Sequence, residues 1–429
     1  MSAREPPLPG SPQSPPPDLA VSPFRAVRYT TPDRSALARL TSPAYDLVDA
    51  ASRTALERAD PYNVVRLILP RANAQTGDDA YACAAHTLAE WRAEGVLAAD
   101  DTPALYRYEM ADGATVTRGI VATVDLRLPA EGVILPHEDT MERPVADRLH
   151  LLEATRANLE PIVLVYDGDD PAADLDVGQP VARLRADDGV DHTVWPITGD
   201  AEISAITAAL APRTAVIADG HHRYASYLRH QHRRRADGAG AGAWDRALVY
   251  LVALGSHGLR TQAIHRLLPT LDFPDALHAA GRAFQVAPIA VPAEGPGALV
   301  SGLRQGRFLL TDGRSWHLLH DPSAPAVRAA LGAAHSADWL ALDVALAHRL
   351  LIRDLWQLAD DEQSVRFGYD LDSTLAAVGR GGTALLLAPT PAASVLAVAR
   401  QGERMPRKST LFVPKPRTGL LLRCYTDEG

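Results

Sequence analysis

Residues 214–223 read Thr-Ala-Val-Ile-Ala-Asp-Gly-His-His-Arg, an apolar run that stops at an acid, turns at a glycine and continues into basic residues. Ala215-Val216-Ile217-Ala218 has the length and apolarity of a buried strand, and Tyr224-Ala225-Ser226-Tyr227-Leu228-Arg229 reads as helix. A strand that turns through Gly220 into a helix gathers free backbone N–H groups and the positive end of the helix dipole at one point. His221, His222 and Arg223 ring that point, and Asp219 lies beside it, which makes a phosphate cradle with an acid attached. Ligands of open α/β sheets sit outside the carboxyl ends of strands, as this turn does. A histidine pair at a helix start also serves as a simple cap, so the turn alone leaves both readings open.

Working outward, the 429 residues exceed what one ordinary core accommodates, and two domains are expected. Hydrophobic content of 47% and charged content of 22% are those of a soluble globular chain. A net charge of −9 argues against general binding to nucleic acid or to an anionic membrane, while leaving room for a local basic pocket. Cys83 and Cys424 are far apart, which suits a reducing cytoplasm and excludes a disulfide framework or a cysteine zinc cluster. No apolar run reaches spanning length and no signal peptide is evident. The expected partner is a small molecule.

Composition divides the chain into a disordered Pro-rich tail over 1–21, a phosphate-binding unit over 22–269, an α/β subdomain over 270–400 and a C-terminal segment over 401–429 able to return to the site. Helices are expected over 50–58, 79–94, 145–159 and 338–358. Strands are expected over 63–69, 104–109, 115–126, 161–166, 246–255 and 383–388. The fold class is α/β in a mixed α+β arrangement. Arg233-Arg234-Arg235 reads as a solvated helix end.

Other constellations face the same question. Leu135-Pro136-His137-Glu138-Asp139-Thr140 puts a Glu between His and Asp in a loop, a setting in which a neighbouring carboxylate raises its basicity. The following helix carries Arg148 and Arg156, about a quarter-turn apart on a helical wheel and able to clasp an anion; salt bridges to nearby Glu are the plainer alternative. His265 and Arg266 offer further cations. Lys408, Ser409 and Thr410 put a cation and two hydroxyls beside a Pro-rich turn. No Walker A, dinucleotide, serine-hydrolase, zincin or paired CxxC pattern occurs.

Taken together, PFRAVRY (23–29), SPAYDLV (42–48), NVVRLILP (63–70), LPHEDT (135–140), RLHLLEATRANLEPI (148–162), IADGHHRY (217–224), IHRLL (264–268) and MPRKSTLFVPKPRTGL (405–420) resemble the bacterial and archaeal domain of unknown function 1015 family from about residue 22 to 422. Ala44 stands where that family has a second Pro, and Ile264 where it has Thr. The DGHHR turn is also similar to the signature turn of the ParB/sulfiredoxin-like fold, which includes free-serine kinases. That resemblance implies a ParB/sulfiredoxin-like phosphate-binding core with added strands and helices, ATP, ADP or another phosphate donor with Mg²⁺, and Glu138 as the base that activates a substrate hydroxyl. It further implies that Asp219 and His222 share in catalysis, that Asp219 touches the Mg²⁺, and that Gly220, His221, His222, Arg223, Arg148, Arg156, His265, Arg266, Lys408, Ser409 and Thr410 hold phosphates. Tyr45, Asp46, His137 and Asn158 fall near the substrate.

Three functions fit this pattern. One is a small-molecule kinase acting on a hydroxylated metabolite such as an amino acid. The second is a nucleotide- or phosphate-binding regulatory protein without turnover. The third is a metal-dependent hydrolase using His137, His221, His222 and Asp219, although consecutive histidines point apart at a helix start.

Overall fold

The structure, a computed structural model, describes residues 18–428 apart from 256, 362 and 380. The Pro-rich stretch 1–17 lies outside the described residues. Residues 18–21, expected to share its disorder, are instead ordered. Leu19 is 1% exposed, its N–H donates to the Ala211 carbonyl at 2.9 Å, and Val21–Ser22 (β1) pairs with a central strand. The buried side chains of Leu19 and Val21 supply the apolar contact that orders this stretch.

One large mixed sheet positions the site. Its other strands are β2 (Leu105–Asp112), β3 (Thr115–Asp125), β4 (Ile134–Pro136), β5 (Ile162–Tyr166), β6 (Ala182–Arg185), β7 (Asp191–Ile197), β8 (Ala215–Asp219) and β9 (Arg246–Ala253). They run in the order β4-β8-β5-β9-β3-β2-β7-β6, with β1 on β3. β2 and β3 form a hairpin, turned at Gly113, whose φ is 59°. Only β4/β8 and β5/β9 are parallel. β5 is buried along its whole length, as a strand covered on both faces should be. Helix α1 (Glu142–Thr155) packs against α2 (His221–Ala236) on one face of the sheet.

A second sheet of six strands contains β10 (His265–Leu268), β11 (Gln285–Pro288), β12 (Phe308–Thr311), β13 (Trp316–His320), β14 (Arg366–Gly368) and β15 (Thr383–Leu386), in the order β11-β13-β12-β15-β10-β14. A division at residue 269 would leave β10 with the first sheet, but its ladders belong to the second. One cluster of buried apolar side chains, from Phe24 through Val163 to Leu385 and Leu422, runs through both units.

Three local expectations change. The apolar run 63–69 is a short helix, Val65–Ile68, rather than a strand. Asn63 Oδ1 accepts the Val65 N–H at 2.9 Å while its Nδ2 donates to the Arg39 and Thr41 carbonyls, so a side-chain turn just ahead of the helix outweighs β-propensity. The helix expected to reach Leu159 stops at Thr155, where Arg156 turns left-handed with φ 50°. Ala157–Asn158 then pairs with Arg423–Cys424. The single helix expected over 338–358 is broken into Ala337–Leu340, Asp343–Leu346 and a π-helical stretch, Ala347–Leu355; Leu342, extended between the first two, interrupts it.

Candidate functional site

The site begins with a defect in β8. Ile217 faces Leu164 and Asp219 faces Val163, so β8 takes two steps where β5 takes one and Ala218 is the extra residue. A bulge of this kind re-aims the side chain that follows it, here Asp219. Gly220 comes next with φ 93°, a conformation open to glycine at no steric cost. A Cβ at that position would lie 3.1 Å from the Arg223 guanidinium. α2 then starts at His221 without a side-chain cap, which leaves the N–H groups of its first turn without intrahelical acceptors.

β4 lies beside β8 and parallel to it, with Pro136 opposite Ile217. The loop carrying His137 and Glu138 therefore leaves the sheet level with Asp219. The two loops are tied together. His137 Nδ1 lies 2.6 Å from the Ile217 carbonyl, to which it donates, and the His137 backbone N–H donates to His221 Nε2 at 3.3 Å. The two imidazoles meet edge to face at 4.5 Å between centroids. Burial pushes the pKa of His137 down, and burial followed by the nearby His137 pushes that of His221 well below the usual range. Both rings are neutral hydrogen-bonding groups at pH 7. His222 Nε2 accepts the Met141 N–H at 3.2 Å, and burial, then Lys408, lowers its pKa.

The third wall comes from residues 404–418, which return across the mouth of the turn. Arg404 Nη1 donates to the Pro136 carbonyl at 2.9 Å and the Met405 N–H to the His137 carbonyl at 2.8 Å. The Thr410 hydroxyl lies 2.9 Å from His137 Nε2, and the Ser409 N–H donates to Glu138 Oε1 at 3.4 Å. Lys408 has φ 52°, an uncommon left-handed conformation for a side-chain-bearing residue. Arg266, 1% exposed, braces this segment from beneath. Its Nη2 donates to the Lys408 carbonyl at 3.0 Å and its Nε to His348 Nε2 at 3.1 Å. Burial lowers its pKa to about 10. Arg266 is thus a brace for the Arg407–Lys408 backbone, where a direct phosphate contact was expected.

Asp219 is fully engaged. One oxygen accepts from Lys415 Nζ at 2.7 Å and the other from Arg223 Nη2 at 2.7 Å. Burial alone would raise its pKa, but the charges of Lys415 and Arg223 outweigh that and bring it to about 2. Lys415 also donates to Asp46 Oδ2 at 2.5 Å. Asp219 therefore does not fit the role of a magnesium ligand, because protein cations occupy both of its oxygens. Among the described residues, no group of three or more His, Cys, Asp or Glu is arranged to hold a metal ion, so the ligand set imagined for a metal hydrolase is not assembled.

Several expected ligands have structural duties or lie elsewhere. Arg223, 5% exposed, donates its Nη1 to the Pro161 carbonyl at 2.7 Å. Arg148 is buried, donates to the Ile68 carbonyl and to the Asp147 carboxylate, and lies 4.6 Å from the Tyr45 ring. Arg156, at the left-handed helix end, lines a separate cleft with Arg234 and Trp244. Asn158 is buried between the Leu248 N–H and Arg423. His265 is buried in β10 and accepts the Leu387 N–H at 3.4 Å.

The Arg233–Arg235 triplet ends α2, paired to Glu153 and Asp245 and stacked on Trp244. Two important groups were not singled out from sequence. Lys415 stands in the Pro-flanked run after Lys408, Ser409 and Thr410, where the sequence assigns it no role of its own. Glu160, 4% exposed, accepts from the Tyr45 N–H and the Thr418 hydroxyl at 3.0 and 2.8 Å. The available signal was a charge set directly beside proline, Glu160 before Pro161 and Lys415 between Pro414 and Pro416.

No helix among the described residues is long and apolar enough to cross a membrane. No curated protein matches the chain. Among solved structures, a free serine kinase variant in complex with ADP aligns over 72% of this chain and 95% of its own at 13% identity, with a TM-score of 0.35. A conserved hypothetical protein from Pyrococcus furiosus aligns over 70% and 95% at 14% identity, TM-score 0.31. SbnI with a C-terminal truncation from Staphylococcus aureus aligns over 69% and 86% at 12% identity, TM-score 0.34. Likeness at this level carries no argument about what this chain does. The model of the family described as "Protein of unknown function (DUF1015)" matches residues 21–345, both strand walls of the site included, and the chain belongs to that family.

Proposed function

We propose that the protein is a phosphotransferase acting on a small hydroxylated metabolite, an amino acid being the favoured class, with ATP, ADP or a related compound as donor. The observation that carries the reading is the register of β4 and β8. It sets Glu138 and the uncapped start of α2 side by side at the carboxyl ends of parallel neighbours. The first-turn N–H groups of α2 and Lys408 hold the donor's phosphates. The acceptor oxygen attacks the terminal phosphorus, its proton passes to the Glu138 carboxylate, and the bond from phosphorus to the bridging oxygen of the donor breaks. Transfer of this kind asks for alignment and charge neutralisation more than for covalent help. Asp219 orients Lys415 and Arg223. Tyr45 and Asp46 border the acceptor.

Incubation with ATP, ADP or pyrophosphate and a pool of hydroxylated metabolites tests the reading by mass spectrometry of the products. Glu138→Gln is expected to lower turnover by roughly 10²–10⁴-fold while phosphate binding persists. Turnover at the wild-type rate in that variant removes Glu138 as base. Binding without turnover is the second reading. It draws on the contact between the Ser409 N–H and Glu138 Oε1, since a carboxylate held this way is less free to take a proton. Tight nucleotide binding with no product from any acceptor would favour it.

A further inference from the structure

Lys415 lies between two carboxylates in the manner of a bound cation. Its Nζ is 2.5 Å from Asp46 Oδ2 and 2.7 Å from Asp219 Oδ1, with only 8% of its side chain exposed. The segment that carries it is pinned on both sides. Leu411–Val413 pairs with Arg260–Gln262, and Thr418 exchanges backbone hydrogen bonds with Ser42. The ammonium is thus delivered to one place rather than swinging on a free loop. An ammonium has three hydrogens to donate. Two are used, and the third has no acceptor among the described residues. Lys415 also forms part of the wall of a cleft of about 900 Å³, with Ala44, Leu47, His192, Thr261 and Leu411.

The charges around it add to a definite result. Asp46, Asp219, Lys415 and Arg223 together sum to zero, so an incoming anion meets no net repulsion. Without Lys415 the same group is negative and would repel an anion while attracting a metal cation.

We propose that the Lys415 ammonium stands where a divalent cation would otherwise bridge Asp46 and Asp219, and that its remaining N–H receives an oxyanion of the ligand, so that the site binds phosphate-type anions without a metal. The inference rests on the reading of the α2 turn as a phosphate site and specifies how that site is neutralised. Burial opposes the charge on Lys415, but Asp219 and Asp46 more than compensate and raise its pKa, so the ammonium stays charged throughout the physiological range.

Calorimetric titration of the full chain with sodium pyrophosphate, at fixed ionic strength in either EDTA or MgCl₂, tests this. Equal affinity in both is expected. Lys415→Met should weaken metal-free binding by about 10- to 100-fold and should bind Mn²⁺, detected by electron paramagnetic resonance, where the wild type does not. Asp46→Asn, which removes one competing charge at an exposed position, should tighten metal-free binding several-fold. If Lys415→Met does not fold, this variant decides alone. Pyrophosphate binding only with Mg²⁺, no binding in either buffer, unchanged affinity in Lys415→Met, or weaker binding in Asp46→Asn would each overturn the inference. Metal-free binding that depends on Lys415, in a protein that transfers no phosphoryl group, keeps this inference and removes the phosphotransferase reading. Phosphoryl transfer through a pyrophosphate site that requires Mg²⁺ does the reverse.

Discussion

The Thr410 hydroxyl and His137 Nε2 meet at 2.9 Å although 273 positions separate them. Since His137 donates from Nδ1 to Ile217, its Nε2 is an acceptor and Thr410 must be the donor. Thr410→Val keeps the shape and removes the donor. It should cost about 1–3 kcal/mol in urea unfolding, because a buried imidazole nitrogen loses its partner. Thr410→Ser should recover most of that loss.

Arg266 holds the Arg407–Lys408 carbonyls from below. Lysine cannot reproduce this forked pattern. Arg266→Lys should therefore lower the melting temperature and speed tryptic cleavage at Arg407 and Lys408. Cleavage at the wild-type rate would remove Arg266 as the brace.

Arg156 and Lys408 were expected to serve the same anion, yet only Lys408 is near His222, whose pKa it lowers. Arg156→Ala should leave pyrophosphate affinity unchanged, while Lys408→Ala weakens it by about tenfold. Equal losses in the two variants would contradict the placement of Arg156 in the separate cleft.

Asp343 is held above the usual carboxylate range, at about 6, by burial, against the lowering effect of the Gly306 N–H. The folded state thus binds the proton more tightly than the unfolded chain, so stability falls as pH rises from about 4 to 6. Asp343→Asn should be more stable than wild type at pH 7 by about 1–3 kcal/mol, with the advantage gone below pH 4. Melting curves across that range check it.

The buried imidazoles act in the opposite sense. Burial brings His192 to about 3 and His265 to about 4, and also lowers His137 and His221. The unfolded chain binds these protons first, so the histidines withdraw stability as pH falls below about 6.5. His192→Gln, which removes one such group, should flatten the decline in melting temperature between pH 7 and 5.

The strand–turn–helix at 215–236 was legible because every local signal agreed: β-branched residues, then a left-handed glycine, then a helix start. The helix at Val65–Ile68 was not, since it depends on Asn63 reaching carbonyls more than 20 residues away. Charged groups were the harder part of the site. Sequence shows that Arg148, Arg223 and Arg266 are cations, but not that their donors are taken up by the carbonyls of Ile68, Pro161 and Lys408. Conversely, Lys415 looks like an ordinary surface lysine until the fold brings it to Asp219.

The crossing of residues 404–418 over the α2 turn also bears on how the protein is made. A ribosome completes the DGHHR turn long before it reaches Thr410 and Lys415, so in a nascent chain the donors that meet His137 Nε2 and Asp219 Oδ1 are still missing. The proposed ligand site closes only when the last strands arrive. Ligand protection during synthesis would therefore report chains that have finished folding, and would pass over those arrested partway.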